Sequence, residues 1–145
     1  MEIELLSSDN IKIYIYEKID CNADIRNVVK EYIDKLKSKL KLNGYYKVYT
    51  YYRKIGLFLN LIKIDDSLYK DSIDLKIILN DDNEVYFKTI NYLCIKDLGT
   101  IRYLDGEFYG LVDDSFDKLL EKVEFGKFIF GYDTNLLLRD SIVYK

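Results

Sequence analysis

The stretch DIRNVVKEYIDKLKSKLKL, residues 24–42, carries the clearest periodicity in the chain. Ile25, Val28, Val29, Tyr32, Ile33, Leu36 and Leu40 recur at three- and four-residue intervals, which lines one face of a helix of about five turns with apolar side chains. Such a face needs a buried partner, and the sequence on both sides offers a sheet: residues 11–17 and 45–64 are Tyr- and Ile-rich runs with strand character. Asn22 and Asp24 are the candidates to cap its first turn. Asn43 and Gly44 stop it, since Gly takes the left-handed conformation that closes a last turn, and Lys37, Lys39 and Lys41 lie where the helix dipole favours cations.

Upstream, residues 1–6 alternate weakly and residues 7–10 read as a turn. Ile11, Ile13 and Ile15 then alternate with Lys12, Tyr14 and Tyr16, the pattern of a half-buried strand with its isoleucines inward. Downstream, residues 45–53 and 57–64 are both strand-like, and the short connection 53–56 makes them an antiparallel hairpin. Residues 1–66 therefore read as a β-α-β-β unit, and the charged segment 65–71 as the loop between two halves.

In the second half, residues 73–79 and 84–89 read as a hairpin around Asp81, Asp82 and Asn83, although the run IDLKIIL also suits a short helix. Residues 92–96 are apolar and short. Residues 100–104 and 107–112 flank Asp105-Gly106, the strongest hairpin signal, because this dipeptide tolerates the positive φ angles of a type I′ turn. Residues 113–115 are placed to cap a second helix ending near Phe125 and Gly126, with Phe116, Leu119, Leu120 and Val123 as its stripe. The tail offers an extended segment at 128–130, a helical turn capped by Thr134 and an edge strand at 142–144. The expected fold is α+β: antiparallel β-hairpins packed on one long amphipathic helix, with a second, shorter helix near the C-terminus. Units 1–66 and 67–145 are expected to pack as one compact protein.

A length of 145 residues with 49% hydrophobic content supports one core. The formal charge is −3, which creates no global field that demands a nucleic acid or an anionic membrane. Locally the chain is polarised: residues 26–54 carry nine basic side chains against Glu31 and Asp34. Cys21 and Cys94 have no local partner, so neither a CxxC motif nor a zinc site is formed, and a reduced, cytoplasmic protein is expected in the absence of a signal-like or membrane-spanning apolar run. The abundance of Tyr, Ile, Lys, Asp and Asn fits AT-rich coding and a low-GC bacterial or phage origin.

Histidine, proline and tryptophan are absent. Without His, most catalytic triads and the commonest metal ligand are excluded. Neither GxxxxGK[ST] nor GxGxxG occurs, which argues against a nucleotide enzyme. The pairs Asp65/Asp66, Asp81/Asp82 and Asp113/Asp114, with Asp117 beyond the last, fit turns and caps better than a metal or acid-base site. Cys21 and Cys94 lack a basic partner and read as small apolar side chains. The chain is expected to be no enzyme and to hold no cofactor or metal.

Binding remains. Tyr45, Tyr49 and Tyr51 share one parity with Lys47 and Arg53, so Tyr45, Tyr49, Tyr51 and Arg53 are the candidates for an exposed protein-binding face, a role for which Tyr is well suited. The alternative is single-stranded nucleic acid stacked on those rings, with Lys30, Lys37 and Lys41 of the helix and Lys47 of the strand on phosphates. A non-catalytic adaptor, inhibitor or immunity-type regulator is the preferred expectation.

Several segments resemble the MecA-type adaptors, negative regulators of competence in low-GC Gram-positive bacteria. MEIELLSSDNIKIYI (1–15) is similar to that family's opening strand, and the β-α-β-β order is similar to its N-terminal domain. TIRYLDGEFYGLV (100–112) resembles its Gly-turn hairpin, and VEFGKFI (123–129) with NLLLRDSIVYK (135–145) resembles its closing segment. The chain is shorter and lacks the family's long acidic linker. The resemblance implies an adaptor that delivers substrates to a Clp-type ATPase, and no motif transfers individual functional residues.

Overall fold

The computed structural model describes residues 1–18, 22, 24–65, 73–80, 84–113 and 117–144. Its first sheet contains β1 (Glu2–Ser7), β2 (Asn10–Ile15), β3 (Gly44–Arg53), β4 (Gly56–Asp65) and β5 (Ile73–Leu79), in the order β1-β2-β4-β3-β5. The tight β3–β4 hairpin, closed by Arg53 opposite Gly56, inserts β4 between β2 and β3. β2 and β3 consequently run parallel, and helix α1 (Ile25–Leu36) is the crossover between them.

Helix α1 is shorter than its apolar stripe suggests. Asp24 caps it through the Asn27 amide, but regular helix ends at Leu36. Residues 37–41 form turns in which Leu40 N–H still bonds Leu36 O, and Lys41 adopts φ 53°. This bend drops Leu42 into the core instead of carrying it along the helix axis. Tertiary burial of one leucine outweighs continuation of a marginal, lysine-rich last turn.

The second sheet contains β6 (Tyr86–Thr89), β7 (Ile101–Leu104), β8 (Glu107–Leu111), β9 (Lys127–Ile129) and β10 (Ile142–Tyr144), all antiparallel in the order β10-β7-β8-β6-β9. Asp105 and Gly106 both have positive φ, 51° and 85°, so the β7–β8 turn is the one their sequence predicts. The hairpin expected from 73–79 and 84–89 does not form. β5 instead pairs in parallel with β3, from Gly44↔Ile73 to Thr50↔Leu79, while β6 joins the second sheet.

The C-terminal half also departs from expectation in its helices. Asp117–Phe125 is 3₁₀ helix, and Tyr92–Cys94 is a further 3₁₀ turn. Regular helix lies later, in α2 (Tyr132–Asp140), followed by the edge strand β10. The described residues form an α+β fold, with two helices, neither of them long, and two five-stranded sheets that dominate it.

The centre of the first sheet is packed on both faces, which accounts for β2 being buried along nearly its whole length, while β1 at the edge is exposed. On one face, Ile25, Val29, Ile33 and Leu36 of α1 pack on Ile11, Ile13, Ile15, Val48, Leu57, Leu59 and Leu61. On the other, Tyr14, Tyr51 and Phe58 enter a second core with Phe87, Phe128 and Phe130 from the C-terminal half. Phe58 lies 4.8 Å from Phe128 and 5.7 Å from Phe130 between ring centroids, so the aromatic cluster joins the two sheets.

Candidate functional site

Strand pairing arranges the second face of the first sheet into cross-strand rows. Tyr14, Phe58 and Tyr51 form an aromatic row. The next row is polar: Lys12 on β2, Asn60 on β4 and Tyr49 on β3. Beyond it lie Asn10, Ile62 and Lys47. The aromatic row is covered by Phe130, whose ring is 5.5 Å from Tyr14 and 5.3 Å from Tyr51.

Phe130 also fixes where α2 begins. Gly131 follows it with φ 70°, and a Cβ there would sit 3.2 Å from the Tyr51 hydroxyl, so this turn requires the glycine both for its backbone angle and for the close approach of Tyr51. Thr134 is buried and donates to Ile129 O, while Leu137 packs inward. At the far end Arg102 of β7 donates to Ser141 Oγ at 2.6 Å and to Leu138 O at 3.5 Å, holding the helix C-terminus. α2 is thus fixed at both ends against the mouth of the polar row.

Between α2 and β3–β4 a cleft of about 510 Å³ remains, lined by Tyr49, Tyr51, Asn60 and Ile62 from the sheet. Glu84 and the α2 residues Tyr132, Asn135 and Leu138 complete its wall, with Gly131 and Thr134 at the helix start. A volume of this order accommodates a small ligand or one large side chain. Tyr132 is 72% exposed and Leu138 40%, so the rim is aromatic and apolar while the floor is polar.

The floor is acceptor-rich. Asn60 Oδ1 is buried and has no hydrogen-bond donor among the described residues. Glu84 accepts a hydrogen bond from Tyr86 at 2.8 Å. Burial, and then the neighbouring Tyr49, pushes the Tyr51 hydroxyl above its ordinary value of 10.0, which keeps it a neutral donor and acceptor. The buried cation nearest in the rows, Lys12, is already compensated: its Nζ lies 2.6 Å from Asp133 Oδ2 and 5.1 Å from the Phe130 ring centroid.

Only part of the sequence-predicted face assembles here. Tyr49 is half-buried in the cleft wall. Tyr51 is only 6% exposed and belongs to the inter-sheet core, not to an open Tyr-bearing surface, because the C-terminal half covers that part of the sheet. Tyr45 and Arg53 sit at opposite ends of β3 and line no part of the cleft, and Arg53 donates to Tyr52 O. Lys30, Lys37 and Lys41 are exposed on or just beyond α1, across the sheet from Tyr49, whereas Lys47 shares the Tyr49 side. Period-2 alternation puts the helix and these tyrosines on opposite faces, so the four lysines and the rings do not form one continuous track.

Asn60, Ile62, Glu84, Tyr132, Asn135 and Leu138 complete the cleft and were not apparent as site residues in the sequence. One of them carries a readable signal: Asn60 interrupts the apolar run GLFLNLI, where a polar side chain of low strand propensity contradicts its surroundings. Asp66, Asp81, Asp82, Asp114 and Cys21 lie outside the described residues, as does the side chain of Asp117. Asp65 and Asp113 are exposed. No group of three potential metal-ligating side chains occurs among the described residues, and Cys94 is buried in the aromatic core. No described helix is long and apolar enough to cross a membrane. Compared with protein-family models, curated proteins and solved structures, the chain matches none.

Proposed function

We propose that this protein is a non-catalytic protein-binding module, an adaptor, inhibitor or immunity-type regulator, whose docking site is the cleft between α2 and the β3–β4 hairpin. The observation that carries the reading is the combination of an exposed aromatic and apolar rim, Tyr132 and Leu138, with a floor of hydrogen-bonding groups that no described residue fully satisfies. That is the composition of a recognition surface: rings supply contact area at low entropic cost, and a few polar groups set orientation. Adaptor function toward a Clp-type ATPase, implied by the MecA-like segments, would use such a surface to hold a client.

The test is affinity capture from native lysate with wild type and with Tyr132→Ala, whose exposed position leaves the core intact. The proposal expects one protein to be recovered by wild type, to survive nuclease and high salt, and to be lost with Tyr132→Ala at unchanged melting temperature. Equal recovery by both forms would remove the cleft from the docking surface. Recovery abolished by nuclease or salt would instead point to nucleic acid, because phosphate contacts weaken steeply as salt rises.

A further inference from the structure

We infer that the cleft takes an arginine side chain presented by a peptide segment of the partner, an assignment that rests on the docking role just proposed. Three features of the lining select this occupant over other side chains.

The first is hydrogen-bond polarity. Asn60 Oδ1 is a buried acceptor with no described donor, and Glu84 adds a carboxylate. A partner group must therefore supply N–H donors. An Asp or Glu side chain would leave both groups unanswered and add repulsion.

The second is charge. Among the described lining residues Glu84 is the lone ionic side chain. Lys12 and Asp133 neutralise one another at 2.6 Å, and Lys47, one row further along the sheet, lines no part of the cleft. The N-terminus of α2 contributes a positive partial charge of roughly half a unit, smaller than the full carboxylate of Glu84. The balance favours a cation.

The third is shape. Tyr49 and Tyr132 bring aromatic rings to the wall, and the rim is apolar at Leu138. A planar guanidinium stacks on such rings and still directs several N–H groups in its plane toward acceptors. A lysine ammonium is more strongly hydrated and has only three donors, so it matches a carboxylate but not a ring and an amide oxygen together. About 510 Å³ leaves room for the whole side chain with its methylene stem along Ile62 and Leu138.

The experiment is an amide-resonance titration of the full chain with acetyl-Gly-Arg-Gly-amide, its citrulline counterpart and its lysine counterpart. Citrulline preserves the planar shape and removes the charge. The assignment expects saturable shifts confined to β4 around Asn60 and Ile62 and to α2, with the citrulline peptide about ten-fold weaker and the lysine peptide between them. Glu84→Gln, which keeps an acceptor for Tyr86, should lower the arginine affinity about five-fold and leave the citrulline affinity unchanged. Arginine and citrulline peptides of equal affinity, shifts elsewhere in the protein, or no shift at millimolar peptide would each overturn it. Failure of this reading is distinguishable from failure of the docking role: if Tyr132→Ala abolishes partner capture while arginine shows no preference over citrulline, the surface stands and its occupant is different. If capture ignores Tyr132→Ala, docking falls, and the peptide titration alone decides whether the cleft holds guanidinium.

Discussion

At Asn60 the proposed recognition role and stability pull in opposite directions. Its amide oxygen is buried without a described donor, an arrangement that costs roughly 1–3 kcal/mol relative to a satisfied or apolar group. Replacement by leucine, which has the same branched shape and number of side-chain heavy atoms, removes that cost. Asn60→Leu is therefore expected to raise the unfolding free energy by about 1 kcal/mol, read as a higher denaturant midpoint, while abolishing arginine-peptide binding. A clear loss of stability would show that the amide is already bonded in the folded protein. The Lys12–Asp133 pair is asymmetric in the same way, since the lysine side chain is 10% exposed and the aspartate 48%. Asp133→Asn strands a cation in the core, whereas Lys12→Met leaves a carboxylate that water can reach. Discounted for that exposure, Asp133→Asn should cost about 1–2 kcal/mol and Lys12→Met distinctly less, by thermal unfolding of the two variants. Equal losses would mean that the pair is screened as if it lay at the surface.

The elements whose form is decided locally were legible from sequence. The α1 stripe, the Arg53–Gly56 turn and the Asp105-Gly106 turn all announce themselves within a few residues, and the structure contains each of them, with α1 shortened. Pairing partners were not legible. The run IDLKIIL has the character of a strand, but nothing within it specifies parallel addition to β3 over a hairpin with its sequence neighbour. The face of β3 was equally hidden: alternation separates Tyr46 and Val48 from Tyr49 and Tyr51, yet which set meets α1 and which meets the C-terminal half depends on contacts far along the chain. β5 also carries a device that only the assembled sheet reveals. Asn80 N–H bonds Thr50 O of β3, so the alternate residues of β5, including Ile77, turn their backbone groups toward the open edge. Arg26 of α1 donates to Ile77 O at 2.6 Å and occupies that edge. An open strand edge recruits other strands, so Arg26→Ala should increase concentration-dependent association. Sedimentation velocity over a hundred-fold concentration range checks this, and a variant as monodisperse as wild type would show that the edge is protected by other means.

The molecule as a whole is built around a sheet whose central strands are packed on both faces, and its tyrosines tie that architecture to pH. Tyr14 and Tyr86 lie in the interior, and Tyr16 packs against Phe128. Burial raises all three hydroxyls well above 10.0. Glu4 adds to the effect at Tyr14, a hydrogen bond to Glu2 at Tyr16, and a hydrogen bond to Glu84 at Tyr86. Tyr32 is pushed up to about 12 by the same causes, burial first and then its bond to Glu17. With the folded values above the unfolded one, the native state retains protons that the unfolded chain releases, and stability falls as pH rises through this range. The contribution is complete below about pH 10, the ordinary tyrosine value, and declines above it by up to about 1.4 kcal/mol per pH unit for each tyrosine that ionises only on unfolding. Because the chain contains no histidine, the region between about pH 6 and 7.5 should be flat. Denaturant midpoints at pH 6, 7.5, 10.5 and 11 should therefore stay level between the first two and drop between the last two. Tyr14 gives the specific test: its hydroxyl is buried without a described partner, so, as at Asn60, removing it in Tyr14→Phe should raise stability at pH 7, by up to about 1 kcal/mol. The same variant should show a shallower alkaline decline than wild type. Parallel declines for the two proteins would place the alkaline lability outside the aromatic core that joins the sheets.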